Sequence, residues 1–95
     1  MVRHIYLFRL KEKDKIEEAA NMILTLKDHI PYMQDIEVGI DFKGAENSYE
    51  LCELCTFKTK EDFLRFGSDP YHAKVREYMD AVRESGVKID YEIDD

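Results

Sequence analysis

Apolar and polar residues alternate from the start of the chain: Val2, His4, Tyr6, Phe8 and Leu10 fall on one side, Arg3, Ile5, Leu7 and Arg9 on the other. A period of two is that of a β-strand, whose successive side chains point to opposite faces. Both sides carry apolar residues, so both faces of this strand are substantially apolar. From Ile16 the period lengthens. Ile16, Ala19, Ala20, Ile23, Lys27 and Ile30 follow helical spacing, with Leu24 and Leu26 broadening the stripe. Asp14-Lys15-Ile16-Glu17 resembles a capping box, and Pro31 disfavours a helical conformation at Ile30. The spacing therefore predicts a helix over residues 14–29.

Alternation then returns. Ile36, Val38, Ile40 and Phe42 are interleaved with Glu37, Gly39 and Asp41, giving a second strand with one polar face. Lys43-Gly44-Ala45-Glu46-Asn47 reads as the loop of a hairpin, and a third strand is expected over 49–57. Thr59-Lys60-Glu61-Asp62 signals a helix start, and Phe63, Leu64 and Phe66 make a short helix ending at Gly67. Asp69 is a cap and Pro70 an ideal first residue for another helix, in which Tyr71, Val75, Tyr78, Met79 and Val82 form the stripe. Gly86 is expected to close it. Val87, Ile89, Tyr91 and Ile93, alternating with Lys88, Asp90 and Glu92, complete the set as a last strand.

The order β-α-β-β-α-β, its second helical unit split in two, is that of a ferredoxin-like α+β fold, with both helical units on one face of an antiparallel sheet. The other face is left bare. Ile5 and Leu7, with Cys52 and Leu54 if these share the face, would form an exposed apolar surface. A surface of that kind points to association, and a homodimer with two sheets packed face to face is expected.

Composition narrows the function classes. Ninety-five residues fit a single domain, here residues 1–95, with a modest core. The formal charge is −7, and the fourteen Lys and Arg residues are scattered among twenty-one Asp and Glu residues without forming a stripe, which argues against nucleic acid. No apolar run approaches the length of a membrane span, and no secretory leader precedes the first strand, so the chain reads as cytoplasmic, with no membrane partner. Cys52 and Cys55 have C-x-x-C spacing, yet residues three apart on a strand point to opposite faces, so they are read as two small strand residues.

Several stretches together resemble a known family. Val2-Arg3-His4-Ile5-Tyr6-Leu7-Phe8-Arg9-Leu10, Ile30-Pro31-Tyr32-Met33 followed by Ile36-Glu37-Val38-Gly39, Ser48-Tyr49-Glu50-Leu51, residues 57–66, Asp69-Pro70-Tyr71-His72 and Asp90-Tyr91-Glu92 occur in the order and spacing of the stress-responsive dimeric α/β-barrel domain, or Dabb, family. The resemblance covers essentially the whole chain. It implies a dimeric α+β barrel; its members include plant stress-associated proteins, a plant polyketide cyclase, domains attached to other enzymes and many bacterial proteins without an assigned role. In the cyclase, a histidine on the first strand and another in the Pro-x-His segment line a pocket between sheet and helices, assisted by a tyrosine. His4 and His72 match the two histidines. The tyrosine position falls at Phe66, which has no hydroxyl, and a further pocket histidine on the third strand falls at about Leu51.

These residues define the candidate chemistry. His72 is a candidate base able to take a proton from the carbon next to a carbonyl group, with His4 in support, and Tyr6, Phe66 and Tyr71 are candidate ligand contacts. The alternative is structural: His72 satisfies backbone or acidic groups at its helix start, and His4 bonds to it or to Tyr71. A metal site of His4, His72 and Asp69 lacks a compact ligand motif, so neither metal nor cofactor is expected. Three functions stay open: a dimer binding a small apolar or carbonyl-containing molecule, a cofactor-free enzyme of cyclase or isomerase type, and an interaction module whose pocket is filled.

Overall fold

The computed structural model describes residues 1–93. Strands β1 (Val2–Leu10), β2 (Met33–Ile40), β3 (Leu51–Phe57) and β4 (Arg83–Glu92) form one antiparallel sheet in the order β2-β3-β1-β4. Helices α1 (Ile16–Leu24) and α2 (Leu26–His29) follow β1, while α3 (Lys60–Gly67) and α4 (Pro70–Val82) follow β3. This is the expected ferredoxin-like α+β fold.

Register decides which face each residue takes. Val2, His4, Phe8 and Leu10 of β1 and Leu51, Glu53, Cys55 and Phe57 of β3 are buried on the helix side, where Phe57 also meets Phe66 and Phe63. Ile23 and Leu26 of the first helical unit and Val75 and Met79 of α4 close the core over them. On the opposite face Ile5 pairs with Leu54 and Ile89, and Leu7 with Cys52 and Val87. Cys52 does share the bare face, and Cys55 points the other way into the core; both thiols are free.

The first helical unit does not run unbroken over 14–29. A 3₁₀ turn at Lys13–Lys15 precedes α1, no side-chain cap bond forms at its start, and the helix breaks at Thr25. The Thr25 hydroxyl donates to Met22 O at 2.6 Å and accepts from the Tyr71 hydroxyl at 2.7 Å. A hydroxyl that serves its own helix backbone competes with the regular ladder. Leu24 accordingly lies outside the stripe and is exposed, whereas Leu26 is fully buried.

The other two cap signals are realised. Thr59 Oγ1 accepts from Asp62 N at 3.1 Å, and Asp69 Oδ1 accepts from Tyr71 N at 2.8 Å and His72 N at 3.3 Å. Pro70 occupies the first turn of α4. The end of that helix differs from expectation: β4 begins at Arg83, directly after Val82, and Gly86 lies inside the strand opposite Phe8. A Cβ at Gly86 would collide with Tyr6 Cε1. Glycine is there so that the Tyr6 ring can lie against the strand backbone, not to cap a helix. Phe42 falls beyond β2, in the loop, and is 99% exposed. The third strand starts at Leu51, two residues later than its alternation suggests.

Candidate functional site

His4 sits on the central strand β1, facing the helices, with Asp90 of β4 directly opposite it in register. Its Nδ1 bonds the Asp90 carboxylate, and the residue is 7% exposed. A carboxylate accepts, so Nδ1 carries a proton and donates it. Phe63 and Phe66 pack near the ring, with centroids 5.7 and 6.4 Å away.

His72 is placed by the Asp69 cap on the first turn of α4. Its Nδ1 donates to Phe66 O at 2.9 Å, because a carbonyl can only accept, and its ring stacks on Phe66 at 3.6 Å between centroids and 14° between planes. Nε2 is therefore an acceptor. Burial holds the imidazole well below its ordinary range, from 6.5 down to about 4; the bond to Phe66 O opposes this, and Arg76 and His4 add to it. At neutral pH His72 is uncharged. The Asp69 carboxyl, although burial pushes it up, is held below the usual carboxylate range by the Tyr32 hydroxyl and the N–H groups of His72 and Tyr71.

His4 and His72 line the same cavity, of about 340 Å³, between the sheet and helices α3 and α4. Tyr6 and Phe66 line it too, so four of the five candidate residues meet in one place. Tyr71 does not line it. Its ring stacks on His29 at 3.8 Å and 4°, and its hydroxyl bonds Thr25. Neighbouring residues on a helix project about 100° apart, so a turn that aims position 72 at the cavity aims 71 at the first helical unit. Tyr71 joins the two helical units and lies outside the lining of this cavity. His29 is the other half of that joint, its Nδ1 2.9 Å from Thr25 O.

The cavity also holds groups that the periodic reading passed over. Glu53 of β3, opposite Tyr6 in register, is 5% exposed, and burial pushes its carboxyl up; His4 and the Cys55 thiol, which donates to it at 3.3 Å, oppose that rise. The same burial, with Glu53 beside it, pushes the Cys55 thiol up. Arg83 donates from Nη1 to the Tyr6 hydroxyl and from Nη2 to Asp80 Oδ1 at 2.9 Å. Lys88 and Arg76 complete the polar part of the wall, and Phe8, Val75 and Met79 the apolar part. Asp90 and Lys88 carried one available signal: they alternate with the apolar residues of β4, so whichever face Val87 and Ile89 take, these take the other. Among the described residues no three His, Cys, Asp or Glu side chains gather as a metal site would require.

Among the described residues no helix is long and apolar enough to cross a membrane. A search of curated proteins finds no match. Among solved structures, a hydroxynitrile lyase from Passiflora edulis is similar at a TM-score of 0.85 and 23% identity, covering 98% of this chain and 93% of that one. The protein At3g17210 from Arabidopsis thaliana gives 0.84 and 23%, covering 100% and 97%. A dimeric protein of unknown function and ferredoxin-like fold from Bacteroides fragilis gives 0.81 and 23%, covering 97% and 95%. At such identities the likeness is one of fold. The family model for the stress responsive A/B barrel domain, however, matches residues 2–93, so the chain belongs to the Dabb family.

Proposed function

We propose that this protein is a homodimer in which each copy binds a small carbonyl-containing molecule in the cavity between its sheet and helices α3 and α4. The observation that carries the reading is the convergence of His4 and His72 on one cavity of about 340 Å³ with an apolar wall on one side and polar groups on the other. Binding cavities commonly have a few fixed polar groups in an otherwise apolar lining. Tyr6 and Phe66 are contacts in this reading, and no cofactor or metal takes part.

The dimer rests on the bare face of the sheet. Ile5, Leu7, Cys52, Leu54, Val87, Ile89 and Tyr91 share it, with Val87 48% and Ile89 58% exposed. Apolar side chains on adjacent strands make one continuous patch, of the kind that marks association. Arg3 and Arg9, on the same face, each have a buried Nε without a hydrogen-bond partner among the described residues. Acceptors from a second copy would satisfy them. The dimeric state of the Bacteroides fragilis protein is in keeping with this packing.

A second reading, cofactor-free proton transfer, is favoured by the His4–Asp90 bond. A carboxylate behind Nδ1 fixes the tautomer and stabilises the imidazolium that forms when Nε2 takes a proton. The sequence suggested His72 as base and His4 as support; in this reading the roles are exchanged, which the His4–Asp90 bond supports. His72, desolvated and a weaker base, presents Nε2 to accept a hydrogen bond and orient the ligand.

A thermal-shift screen with small aliphatic and aromatic ketones and aldehydes tests the binding reading. At least one compound is expected to raise the melting temperature of the wild type and to lose that effect in His72→Ala, because binding to the folded state stabilises it by mass action. No shift across the panel, or equal shifts in both proteins, would overturn it.

A further inference from the structure

Glu53 is the group in the cavity with no role so far. It lies on β3 beside the central strand, opposite Tyr6, and its carboxyl group is enclosed by the sheet and the helices. Among the described residues no lysine or arginine forms an ion pair with it, and its hydrogen-bond partner is the Cys55 thiol, a weak donor. The basic groups around the cavity are engaged or distant from it. Arg83 is held by Tyr6 and Asp80, and His4 by Asp90. His72 is uncharged, Arg76 lies on α4 across the cavity, and Lys88 lies on β4, separated from Glu53 by Tyr6 of the central strand, which pairs with both.

A buried carboxyl in those surroundings has two possible uses. As a structural hydrogen-bonding group it is a poor choice, since Val or Leu would fill a core strand position without a polar atom to satisfy. As a neutral acid facing a cavity it is a proton donor, a use of buried carboxyls in enzymes that form enols.

We propose that Glu53 is a catalytic acid of the site, donating from its carboxyl O–H to the carbonyl oxygen of the bound molecule while His4 takes a proton from the adjacent carbon. The inference rests on the proton-transfer reading above and names its substrate class: an uncharged ketone or 1,3-diketone with at least one hydrogen between or beside the carbonyl groups.

The step balances without a cofactor. His4 Nε2 forms an N–H bond as the C–H bond breaks, and the C–H electron pair becomes the new C=C bond. The carbonyl π pair moves to oxygen, which takes the Glu53 proton and becomes an enol hydroxyl. Glu53 is left as carboxylate and His4 as imidazolium, held by Asp90. Once the enol leaves, the imidazolium gives its proton to water and the Glu53 carboxylate takes one from water, which restores both groups; a bound enol runs the same steps in reverse to the ketone. The field of His4 at Glu53 couples the two: charge on the imidazolium favours the carboxylate that forms with it.

Two measurements test this. The first is carbon-13 NMR of protein labelled at glutamate Cδ, with the Glu53 signal assigned by its loss in Glu53→Gln. At pH 7 that carbon is expected at the shift of a neutral acid, and a carboxylate shift would overturn the proposal. The second is the keto–enol interconversion of benzoylacetone, followed by its ultraviolet absorbance, in wild type, Glu53→Gln, Glu53→Leu and His4→Ala. Glu53→Gln keeps a donor but has no acid proton. It is expected to retain benzoylacetone affinity and lose rate by on the order of 100-fold, while Glu53→Leu loses affinity as well.

The failures are distinguishable. Rate lost in His4→Ala but kept in Glu53→Gln would leave the proton-transfer reading standing and remove Glu53 from it. A wild type that neither binds nor interconverts benzoylacetone would overturn both. Melting curves and circular dichroism establish that each variant is folded.

Discussion

At the level of the residue, His72 shows how a fold turns a common side chain into a specific one. An exposed imidazole titrates near 6.5, whereas here burial lowers that to about 4, so the folded protein keeps the ring neutral where the unfolded chain takes up a proton. Stability rises with pH wherever the unfolded state binds more protons. This contribution is therefore fully present above pH 6.5 and lost as pH falls toward about 4. Urea unfolding across that range is expected to show the wild type losing more stability on acidification than His72→Gln, whose amide does not titrate. Parallel losses in the two proteins would contradict the burial argument. Phe66 belongs to the same account, since its carbonyl fixes the His72 tautomer and its ring stacks on the imidazole. Where the family resemblance suggests a hydroxyl, this chain supplies a flat apolar support.

At the level of the element, helix caps and glycines aim the site. Asp69 accepts two N–H groups at the start of α4 and a third hydrogen bond, from the Tyr32 hydroxyl at 2.9 Å, which ties the residues before β2 to the helix. Removing an N-cap carboxylate costs about 1 kcal/mol, and Asn at that position is nearly equivalent. Asp69→Ala is expected to lower unfolding free energy by roughly 1–2 kcal/mol in urea titration, with Asp69→Asn close to wild type. An Asp69→Ala protein as stable as wild type would mean that the cap contributes nothing. The three cap signals read from the chain did not fare alike. Thr59 and Asp69 cap their helices, whereas Asp14-Lys15-Ile16-Glu17 falls partly in a 3₁₀ turn and makes no side-chain cap. Gly86 illustrates the opposite lesson: at the end of a helical stripe it looked like a terminator, and its actual use is to admit the Tyr6 ring from a strand far away in the chain.

At the level of the whole molecule, the sheet divides the protein into two surfaces with different work. One face carries the core and the cavity; the other presents Val87, Ile89 and Tyr91 beside Ile5 and Leu7. An acidic side chain in the middle of a face buried between two copies would have to be desolvated without a partner. Ile89→Asp is expected to convert a particle of about twice 11.3 kDa into one of 11.3 kDa by light scattering at micromolar concentration, with its circular dichroism retained. A wild type that already scatters as 11.3 kDa would remove the dimer. β4 also explains why the site was half legible. Its alternation was plain, but the apolar residues lie on the bare face and the polar ones turn toward the helices, so Lys88 reaches the cavity and Asp90 reaches His4. A strand read alone cannot say which of its two faces meets the core.

What could be read along the chain was whatever depends on near neighbours. The periods of two and 3.6, the Thr59 and Asp69-Pro70 starts and the opposed directions of Cys52 and Cys55 are properties of a few consecutive residues, and they sufficed for the β-α-β-β-α-β order and its ferredoxin-like fold. His72 was identifiable because the Asp69-Pro70 start aims it, and His4 because the family resemblance pairs it with His72. The bond from His4 to Asp90, the enclosure of Glu53 opposite Tyr6 and the departure of Tyr71 toward His29 came from the folded arrangement. Each joins positions distant in the chain, or depends on how far a helix is turned about its axis. Such pairings are settled by strand register and packing, for which many competing solutions share the same local pattern.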